Sequence, residues 1–254
     1  MLITMALPTK KTEIVSQDPR NLIIFSNPKA GKSSSIAQLP DTLILDLEDG
    51  YKYLNNCYVQ PIETVTDLYN TAKALKTEQH NFKFVAIDTV TKLEDIALPL
   101  AKKLYQDTPM GQNWNGDSVL KLPNGAGHLY LREAMQKIIS WFELPGINLI
   151  LVGHVKDKSI TEGGTELTVK NLDLAGKIST ILSAKSDAIA YLYRDTETGD
   201  LMANFGDMNS VLTGARMPHL AGRTIQLAER KMNDNGEWQI ITHWDRIFPS
   251  LKNE

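Results

Sequence analysis

The chain has 254 residues, of which 42% are hydrophobic and 22% are charged, and its formal net charge is −3. This balance is typical of a globular protein with a large core, and it excludes a globally basic nucleic-acid coat while leaving room for a local basic groove. A single cysteine, Cys57, excludes an intrachain disulfide framework and fits a reducing compartment. No apolar run approaches the roughly 20 residues of a membrane helix or resembles a signal peptide, so we expect a cytoplasmic protein without membrane contact.

The first 35 residues contain an arm, a strand and a candidate phosphate-binding loop. Residues 1–20 show no periodicity and are expected to form an arm or edge strand ahead of one domain over residues 21–254. Four apolar residues from Leu22 to Phe25 predict a buried strand. Residues 26–33 then match the pattern G-x-x-x-x-G-K-[S/T] except at the first position, which is Ser26.

A phosphate loop of this kind directs backbone N–H groups, a helix N-terminus and one lysine at the same point, which suits the phosphates of a nucleotide. Serine is strained wherever φ is positive, so Ser26 predicts a slightly reshaped loop. The alternative is an ordinary strand-to-helix turn capped by serine. The residues expected to contact the nucleotide are Ser26, Asn27, Pro28, Lys29, Ala30, Gly31, Lys32, Ser33 and Ser34.

Further strands and helices alternate after the loop. The apolar run at 42–50 predicts a second strand with an acidic end, on which Asp46 and Glu48 share a face if the strand persists. Residues 64–79 have the spacing of an amphipathic helix, and residues 82–89 predict a third strand that closes on Asp88. A helix follows as far as Leu104, and we expect Pro99 to kink or interrupt it.

The middle and end of the chain predict the fold class. Residues 106–127 are rich in Gly, Asn, Pro and Asp and predict a long exposed loop, before a helix at 129–142 and a fourth strand at 148–154. This alternation predicts an α/β fold with a mainly parallel sheet and ligands at the carboxyl ends of its strands. Residues 188–205 and 225–244 each read as a β-hairpin, so the chain is expected to end in antiparallel strands.

Five side chains are candidates for the chemistry of a nucleoside triphosphate. Lys32 would neutralise the β and γ phosphates, and Ser33 and Asp88 would hold Mg²⁺, although Asp88 is also placed to cap the next helix. Glu48 is the candidate base for the attacking water, with a solvated acidic loop as the alternative. His154 either senses the γ-phosphate or is an ordinary core histidine.

The order of these motifs resembles the RecA-like P-loop ATPase core, and more narrowly the phage-encoded ATPases of the Sak recombination type. The narrower similarity is in residues 28–33, and the resemblance extends over about residues 20–230. It implies ATP hydrolysis between the subunits of a homo-oligomer, with ATP and Mg²⁺ as cofactors. It also implies binding of single-stranded DNA through the loops after the third and fourth strands.

Two segments occupy the positions of those DNA loops. Residues 106–127 contain Trp114 and Lys121, and residues 155–176 contain Lys156, Lys158 and Lys170. Aromatic rings and lysines are what single-strand binding requires. In the second segment acids match the lysines, so a charge-balanced solvated loop is an equal alternative; these acids are Asp157, Glu162, Glu166 and Asp173.

The resemblance also implies an arginine that reaches the γ-phosphate of the neighbouring subunit. Residues 213–218 resemble that position, with Arg216 as the first candidate, Arg223 as the second, and an ordinary exposed arginine as the alternative. The leading prediction is an ATPase that assembles on single-stranded DNA for annealing or strand exchange, possible partners including a single-strand DNA-binding protein. A nucleotide-switched loader and a small-molecule kinase are the alternatives.

Overall fold

A computed structural model of the chain describes residues 17–162, 165–206 and 211–253, and these form an eleven-stranded sheet with helices. Most of the predicted arm, residues 1–16, lies outside the described residues, and residues 17–20 are bends and coil rather than a strand. Within the described ranges, no helix has both the length and the apolar character needed to cross a bilayer.

The strands are numbered in chain order. They are β1 (Asn21–Ser26), β2 (Thr42–Asp46), β3 (Tyr58–Pro61), β4 (Phe84–Asp88), β5 (Asn148–Glu162), β6 (Thr165–Leu172), β7 (Ala188–Arg194), β8 (Leu201–Asn204), β9 (Gly214–Ala215), β10 (Thr224–Met232) and β11 (Trp238–Thr242). The main sheet has the order β11-β10-β8-β7-β1-β5-β4-β2-β3. The six strands from β7 to β3 are parallel, and the others pair antiparallel.

Five α-helices are described. They are α1 (Lys32–Ile36), α2 (Val65–Thr77), α3 (Val90–Gln106), α4 (Ala126–Trp141) and α5 (Ile178–Lys185). Two buried apolar clusters form, because alternate side chains of each strand point to opposite faces of the sheet. Ile23 and Phe25 of β1 pack with α2, α3 and α4, whereas Leu22 and Ile24 pack with α1 and the C-terminal segment. This is the predicted α/β architecture of a RecA-like P-loop core with added antiparallel strands.

The region after β2 corrects two predictions. β2 ends at Asp46 instead of continuing to residue 50, because Asp49 has a φ of 60° and the chain turns there. The short edge strand β3 was not predicted, so the strand that begins at Asn148 is the fifth and not the fourth. β3 is mostly exposed and therefore lacks the apolar run that marks the central strands.

The prediction of a loop after His154 is wrong, because β5 continues through that residue to Glu162 and pairs antiparallel with β6. The ribbon joins Val155 to Leu172 in register. Alternation of lysines with acids in these strands hides the apolar pattern on which strand prediction depends. The glycine pair at the predicted loop's tip, residues 163–164, lies outside the described residues.

The segment at 106–127 is more ordered than predicted. Single turns of 3-10 helix occupy Val119–Lys121 and Pro123–Gly125, and α4 begins at residue 126. Val119 is 1% exposed and Leu122 is 8% exposed, so two apolar side chains anchor the segment to the core. The polar composition did not indicate these two anchors, and Gly111 and Gly127 of the segment are also buried.

Pro99 does not interrupt its helix, since α3 runs continuously over seventeen residues. Proline removes one backbone donor, and an amphipathic helix can keep its packing when the loss falls on the solvent side. Pro99 is exposed while Ile96 and Ala97 are buried, which is that situation.

Both predicted C-terminal hairpins are present, as β7–β8 and β10–β11. The second ends at Thr242, and a 3-10 turn at Trp244–Arg246 follows. The indole N–H of Trp244 donates a 2.8 Å hydrogen bond to the carbonyl oxygen of Ser35 in α1. The C-terminal segment is thereby fixed to the helix that follows the phosphate loop.

Candidate active site

The predicted phosphate loop lies at the carboxyl end of β1, between that strand and α1. Two residues have positive φ, Lys29 at 63° and Gly31 at 116°. At Gly31 a side chain would also collide with Arg194, because a Cβ atom there would lie 2.8 Å from its Nη2. The positive φ therefore favours glycine at position 31, whereas the end of the flexible Arg194 side chain could shift to admit a Cβ atom.

Ser26 does not reshape the loop as predicted, because it is the last residue of β1 and continues the parallel register opposite His154. Its hydroxyl instead holds the lysine. Lys32 Nζ donates to Ser26 Oγ at 2.9 Å and to the carbonyl oxygens of Ser26 and Asn27 at 3.3 and 3.2 Å. The residue that departs from the motif thus supplies a contact that glycine could not make.

Lys32 is a buried cation, with only 6% of its surface exposed. Burial lowers the pKa of its ammonium group, while Asp88 and Glu48 oppose the shift by favouring the charged form. The three hydrogen bonds all end on uncharged oxygens. A buried ammonium group with only uncharged hydrogen-bond acceptors is a suitable counter-charge for an incoming phosphate.

Ser33 and Asp88 meet as predicted for a metal site. Ser33 lies in α1, and its Oγ donates a 2.7 Å hydrogen bond to Oδ2 of Asp88, at the end of β4. Asp88 is 4% exposed, and burial raises the pKa of its carboxyl group, although Ser33, Tyr51 and Lys32 act in the opposite direction.

These oxygens fit Mg²⁺, which usually takes one or two protein oxygen ligands and completes its octahedron with water and phosphate. Within the part of the chain that the structure describes, no three His, Cys, Asp or Glu side chains form a metal cluster. The donor set, a serine hydroxyl beside a buried carboxylate, therefore suits a metal that arrives together with a nucleotide.

Asp46 forms a turn and does not share a strand face with Glu48 as predicted. Its Oδ1 accepts the N–H groups of Glu48 and Gly50, both at 3.1 Å, and its Oδ2 accepts that of Tyr51 at 3.4 Å. Aspartate commonly stabilises turns in this way. The turn brings Glu48 and Tyr51 toward the end of β4.

The carboxylate of Glu48 contacts other polar side chains, so it is not simply an acid in a solvated loop. Its Oε1 accepts a 2.6 Å hydrogen bond from the Thr89 hydroxyl, and His154 Nε2 lies 3.2 Å from the same oxygen. The Thr89 Oγ1 also accepts the N–H of Lys92 and so caps α3. The carboxylate of Glu48 remains about one third exposed, at 36%. It is oriented and still open to water.

His154 is partly exposed and so differs from an ordinary core histidine, whereas its sensing of the γ-phosphate stays a prediction. Its ring contacts Glu48 through Nε2, while Nδ1 is buried without a hydrogen-bond partner among the described residues. Its backbone N–H donates to Thr91 Oγ1, and its carbonyl oxygen accepts the N–H of Asp173. His154 therefore joins the candidate base to the first residues of the β5–β6 ribbon.

Sequence reasoning missed Arg194, which lies at the end of β7 and contacts the phosphate loop. Its Nε donates to the carbonyl oxygen of Ala30 and its Nη1 to that of Gly199, both at 3.0 Å. Because the peptide bond is planar and trans, the N–H of Gly31 points away from the side on which Arg194 holds the carbonyl of Ala30. No sequence signal identifies Arg194, since the pairing of β7 with β1 is not readable from the sequence.

Arg216 lies near the start of β7, at the opposite edge of the sheet from the phosphate loop. Its Nη1 is 3.1 Å from Asp187 Oδ1, and its Nη2 donates to the carbonyl oxygen of Ala184. β1 alone separates the two edges by about 20 Å. Within one subunit Arg216 does not reach the phosphate site, so contact with a neighbouring subunit stays a prediction; Arg223, the second candidate, is exposed.

The lysines predicted to bind DNA on the ribbon are mostly paired. Lys156 lies 3.0 Å from Asp173, and Lys170 lies 3.4 Å from Asp157, whereas Lys158 is exposed. These pairs agree with the charge-balanced alternative for this segment, although the segment is a ribbon and not a loop.

The predicted DNA residues of the first segment are also in defined places. Trp114 packs edge-on against Tyr105 with the ring centroids 5.4 Å apart, and Lys102 lies 5.6 Å from its centroid. Lys121 is exposed in the 3-10 turn. The indole is half-buried against α3, and DNA binding by Trp114 and Lys121 stays a prediction.

The chain is similar to one protein family and to several solved structures. The sequence matches the AAA_24 family, described as an AAA domain, over residues 18–236. The crystal structure of the RadB recombinase is similar, with 14% identity, a TM-score of 0.45, and coverage of 86% of this chain and 90% of that one. A KaiC-like protein from the hyperthermophilic archaeon Pyrococcus horikoshii OT3 is similar at 12% identity and a TM-score of 0.43, covering 90% of each chain. None of the curated proteins matches the sequence.

Proposed function

We propose, since the chain belongs to the AAA_24 family of AAA domains, that it is a Mg²⁺-dependent ATPase. The observation that carries the proposal is the meeting of three groups at the carboxyl edge of the sheet. A buried lysine lies in the phosphate loop, a serine contacts a buried aspartate, and an oriented glutamate faces the same edge; these are Lys32, Ser33 with Asp88, and Glu48.

Lys32 and the backbone N–H groups of the loop bind the phosphates. On binding, the Nζ atom exchanges its uncharged oxygen partners for phosphate oxygens, and the charged form of the ammonium group is favoured. Ser33 and Asp88 hold Mg²⁺, which when bound neutralises charge on the phosphate oxygens. Arg194 holds the carbonyl group of Ala30 and so restrains the backbone of the loop.

Glu48 accepts the proton of the attacking water. The hydroxyl of Thr89 fixes one carboxylate oxygen, and His154 Nε2 lies 3.2 and 3.3 Å from the two carboxylate oxygens. The partial exposure of Glu48 leaves room for a water molecule beside it. A carboxylate with these contacts can take a proton and pass it to solvent after the phosphate leaves.

The biological role that we propose is DNA recombination, with assembly of a homo-oligomer on single-stranded DNA for annealing or strand exchange. Its supports are the motif order of residues 26–33, 46–49 and 87–89 and the position of the β5–β6 ribbon. The ribbon begins one residue after His154, which contacts the candidate base. Binding of a DNA strand to the ribbon would therefore affect Glu48 through the contact between Glu48 and His154.

The test is ATP hydrolysis by the full-length protein with MgCl₂, measured with and without single-stranded DNA. We expect hydrolysis that requires Mg²⁺ and rises when DNA is added. Absence of hydrolysis under both conditions, with nucleotide still bound, would contradict the enzyme activity. Hydrolysis that is indifferent to DNA would keep the ATPase and remove the recombination role.

A second candidate function is a nucleotide-switched loader without appreciable turnover. The ion pairs of Lys156 and Lys170 with aspartates favour it, because paired lysines release few counterions on contact with DNA. In that case the same assay would show ATP binding, little turnover and no dependence on DNA.

A further inference from the structure

Tyr51 is the largest side chain that touches the proposed metal site and has no role in the mechanism given above. It lies at the end of the turn organised by Asp46 and is 5% exposed. Its hydroxyl group donates a 2.7 Å hydrogen bond to Asp88 Oδ2. A buried tyrosine hydroxyl needs such a partner, whereas packing alone would be served equally by phenylalanine.

The two hydrogen bonds to Asp88 are made to a single oxygen. Both the Tyr51 hydroxyl and the Ser33 hydroxyl donate to Oδ2, each at 2.7 Å. An ionised carboxylate oxygen has two lone pairs, so these two donors fill Oδ2. Oδ1 takes part in neither bond and is the oxygen that can face a metal-bound water molecule.

We propose that Tyr51 is a positioning residue for the metal site: its hydroxyl fixes the rotation of the Asp88 carboxylate so that Oδ1 is presented to Mg²⁺. The inference rests on the proposed function of this site. Ser33 supplies one of the two hydrogen bonds from α1, and Tyr51 supplies the second from a hydroxyl that has no ligand role at the metal. Tyr51 approaches from the core and remains a donor throughout.

This position also links two parts of the site. The turn held by Asp46 carries the candidate base Glu48 at one end and Tyr51 at the other. The same short segment therefore positions both the candidate base, Glu48, and the residue that orients Asp88, Tyr51. Partners that orient metal ligands commonly change metal affinity by about 10- to 100-fold when removed.

The experiment measures binding of a fluorescent ATP analogue, first in EDTA and then across a MgCl₂ series. We expect Tyr51→Phe to bind the analogue in EDTA like the wild type, since the hydroxyl touches no nucleotide group. The Mg²⁺ concentration at half-maximal enhancement should rise about tenfold. Tyr53→Phe is the matched control, because Tyr53 lies two residues away, is 94% exposed and should change neither value.

A double variant separates positioning from a general loss of packing. In the Asp88→Asn background, adding Tyr51→Phe should shift the Mg²⁺ midpoint no further, whereas a packing defect would shift it again. A Tyr51→Phe midpoint equal to that of Tyr53→Phe would overturn the role of Tyr51 and leave the ATPase proposal intact. If the wild type itself gains no affinity from Mg²⁺, the proposed function fails and this inference fails with it.

Discussion

The two edges of the parallel sheet each carry a cluster of charged side chains, and opposite charges form an ion pair at the amino-terminal edge but not between Lys32 and Asp88 at the carboxyl edge. At the amino-terminal edge, Asp187 accepts the N–H groups of Arg20 and Asn21 and pairs with Arg216. At the carboxyl edge, Lys32 and Asp88 are buried, and each is hydrogen-bonded to uncharged groups. Burial shifts the pKa of each group against its charged form, downward for Lys32 and upward for Asp88.

The difference indicates what each edge does. Two opposite charges that pair with each other within the chain support the fold and need no ligand. A buried cation and a buried carboxylate that do not pair cost free energy, which a bound phosphate and metal can recover. The substitutions below test this contrast between the edges, beginning with the largest expected effect.

Lys32→Ala should abolish detectable hydrolysis, because ATP affinity falls by about 100-fold when a charge-assisted phosphate contact is lost. The measurement is titration with a fluorescent ATP analogue. Lys73→Ala, which changes an exposed lysine on α2, is the matched control. Unchanged binding by the Lys32 variant would remove the loop from the site.

Glu48→Gln should keep ATP binding and lower the rate of hydrolysis by about 10²- to 10⁴-fold, the usual contribution of a general base. Steady-state release of phosphate measures the loss, and Glu63→Gln tests an exposed glutamate nearby. Turnover at the wild-type rate would transfer the role of base to another acid.

Asp88→Asn should stabilise the nucleotide-free protein at neutral pH by about 1 kcal/mol while weakening its response to Mg²⁺. Since burial raises the folded-state pKa of Asp88, its protonation favours folding, and that stability is lost as the pH rises through the raised pKa. The variant's advantage should therefore shrink as the pH falls below that value, and it should be lost once the pH is below the ordinary pKa of aspartate in the unfolded chain. Thermal unfolding at several pH values measures it, and a variant less stable than wild type at neutral pH contradicts the account.

Arg216→Ala should have the smallest effect on stability, below about 1 kcal/mol, because the arginine side chain is 62% exposed. If Arg216 also acts on a neighbouring subunit, hydrolysis should fall only in assembled protein. Chemical denaturation and ATPase assays on separated monomeric and oligomeric fractions measure the two effects. An equal loss of activity in the monomer would exclude a role across the interface.

The sequence predicted the parts of this molecule whose signals are local. The apolar run of β1 ends directly at a motif with fixed residue spacing, so both the strand and the position of Lys32 could be predicted. The pairing of Ser33 with Asp88 followed, because carboxyl ends of parallel strands meet at one edge. Strand β3 and the β5–β6 ribbon were missed, since exposed or charge-alternating strands lack an apolar run.

The remaining errors concern contacts between segments far apart in the chain. Arg194 is separated from Ala30 by 164 positions, and Tyr51 from Asp88 by 37. No local pattern marks either residue, because their neighbours are set by strand order and by the turn at Asp46. Ser26 was expected to distort the loop, and only the position of the Lys32 ammonium group shows why serine is tolerated there.

The hydrogen bond from Trp244 to Ser35 gives residues far downstream a part in holding α1, the helix that follows the phosphate loop. Trp244 lies beyond the region matched by the family, which ends at residue 236. A chain shortened to that boundary would retain each residue of the phosphate loop yet lose the aromatic wedge behind its helix. A fragment that ends at the family boundary should therefore hold α1 less firmly than the full-length chain does.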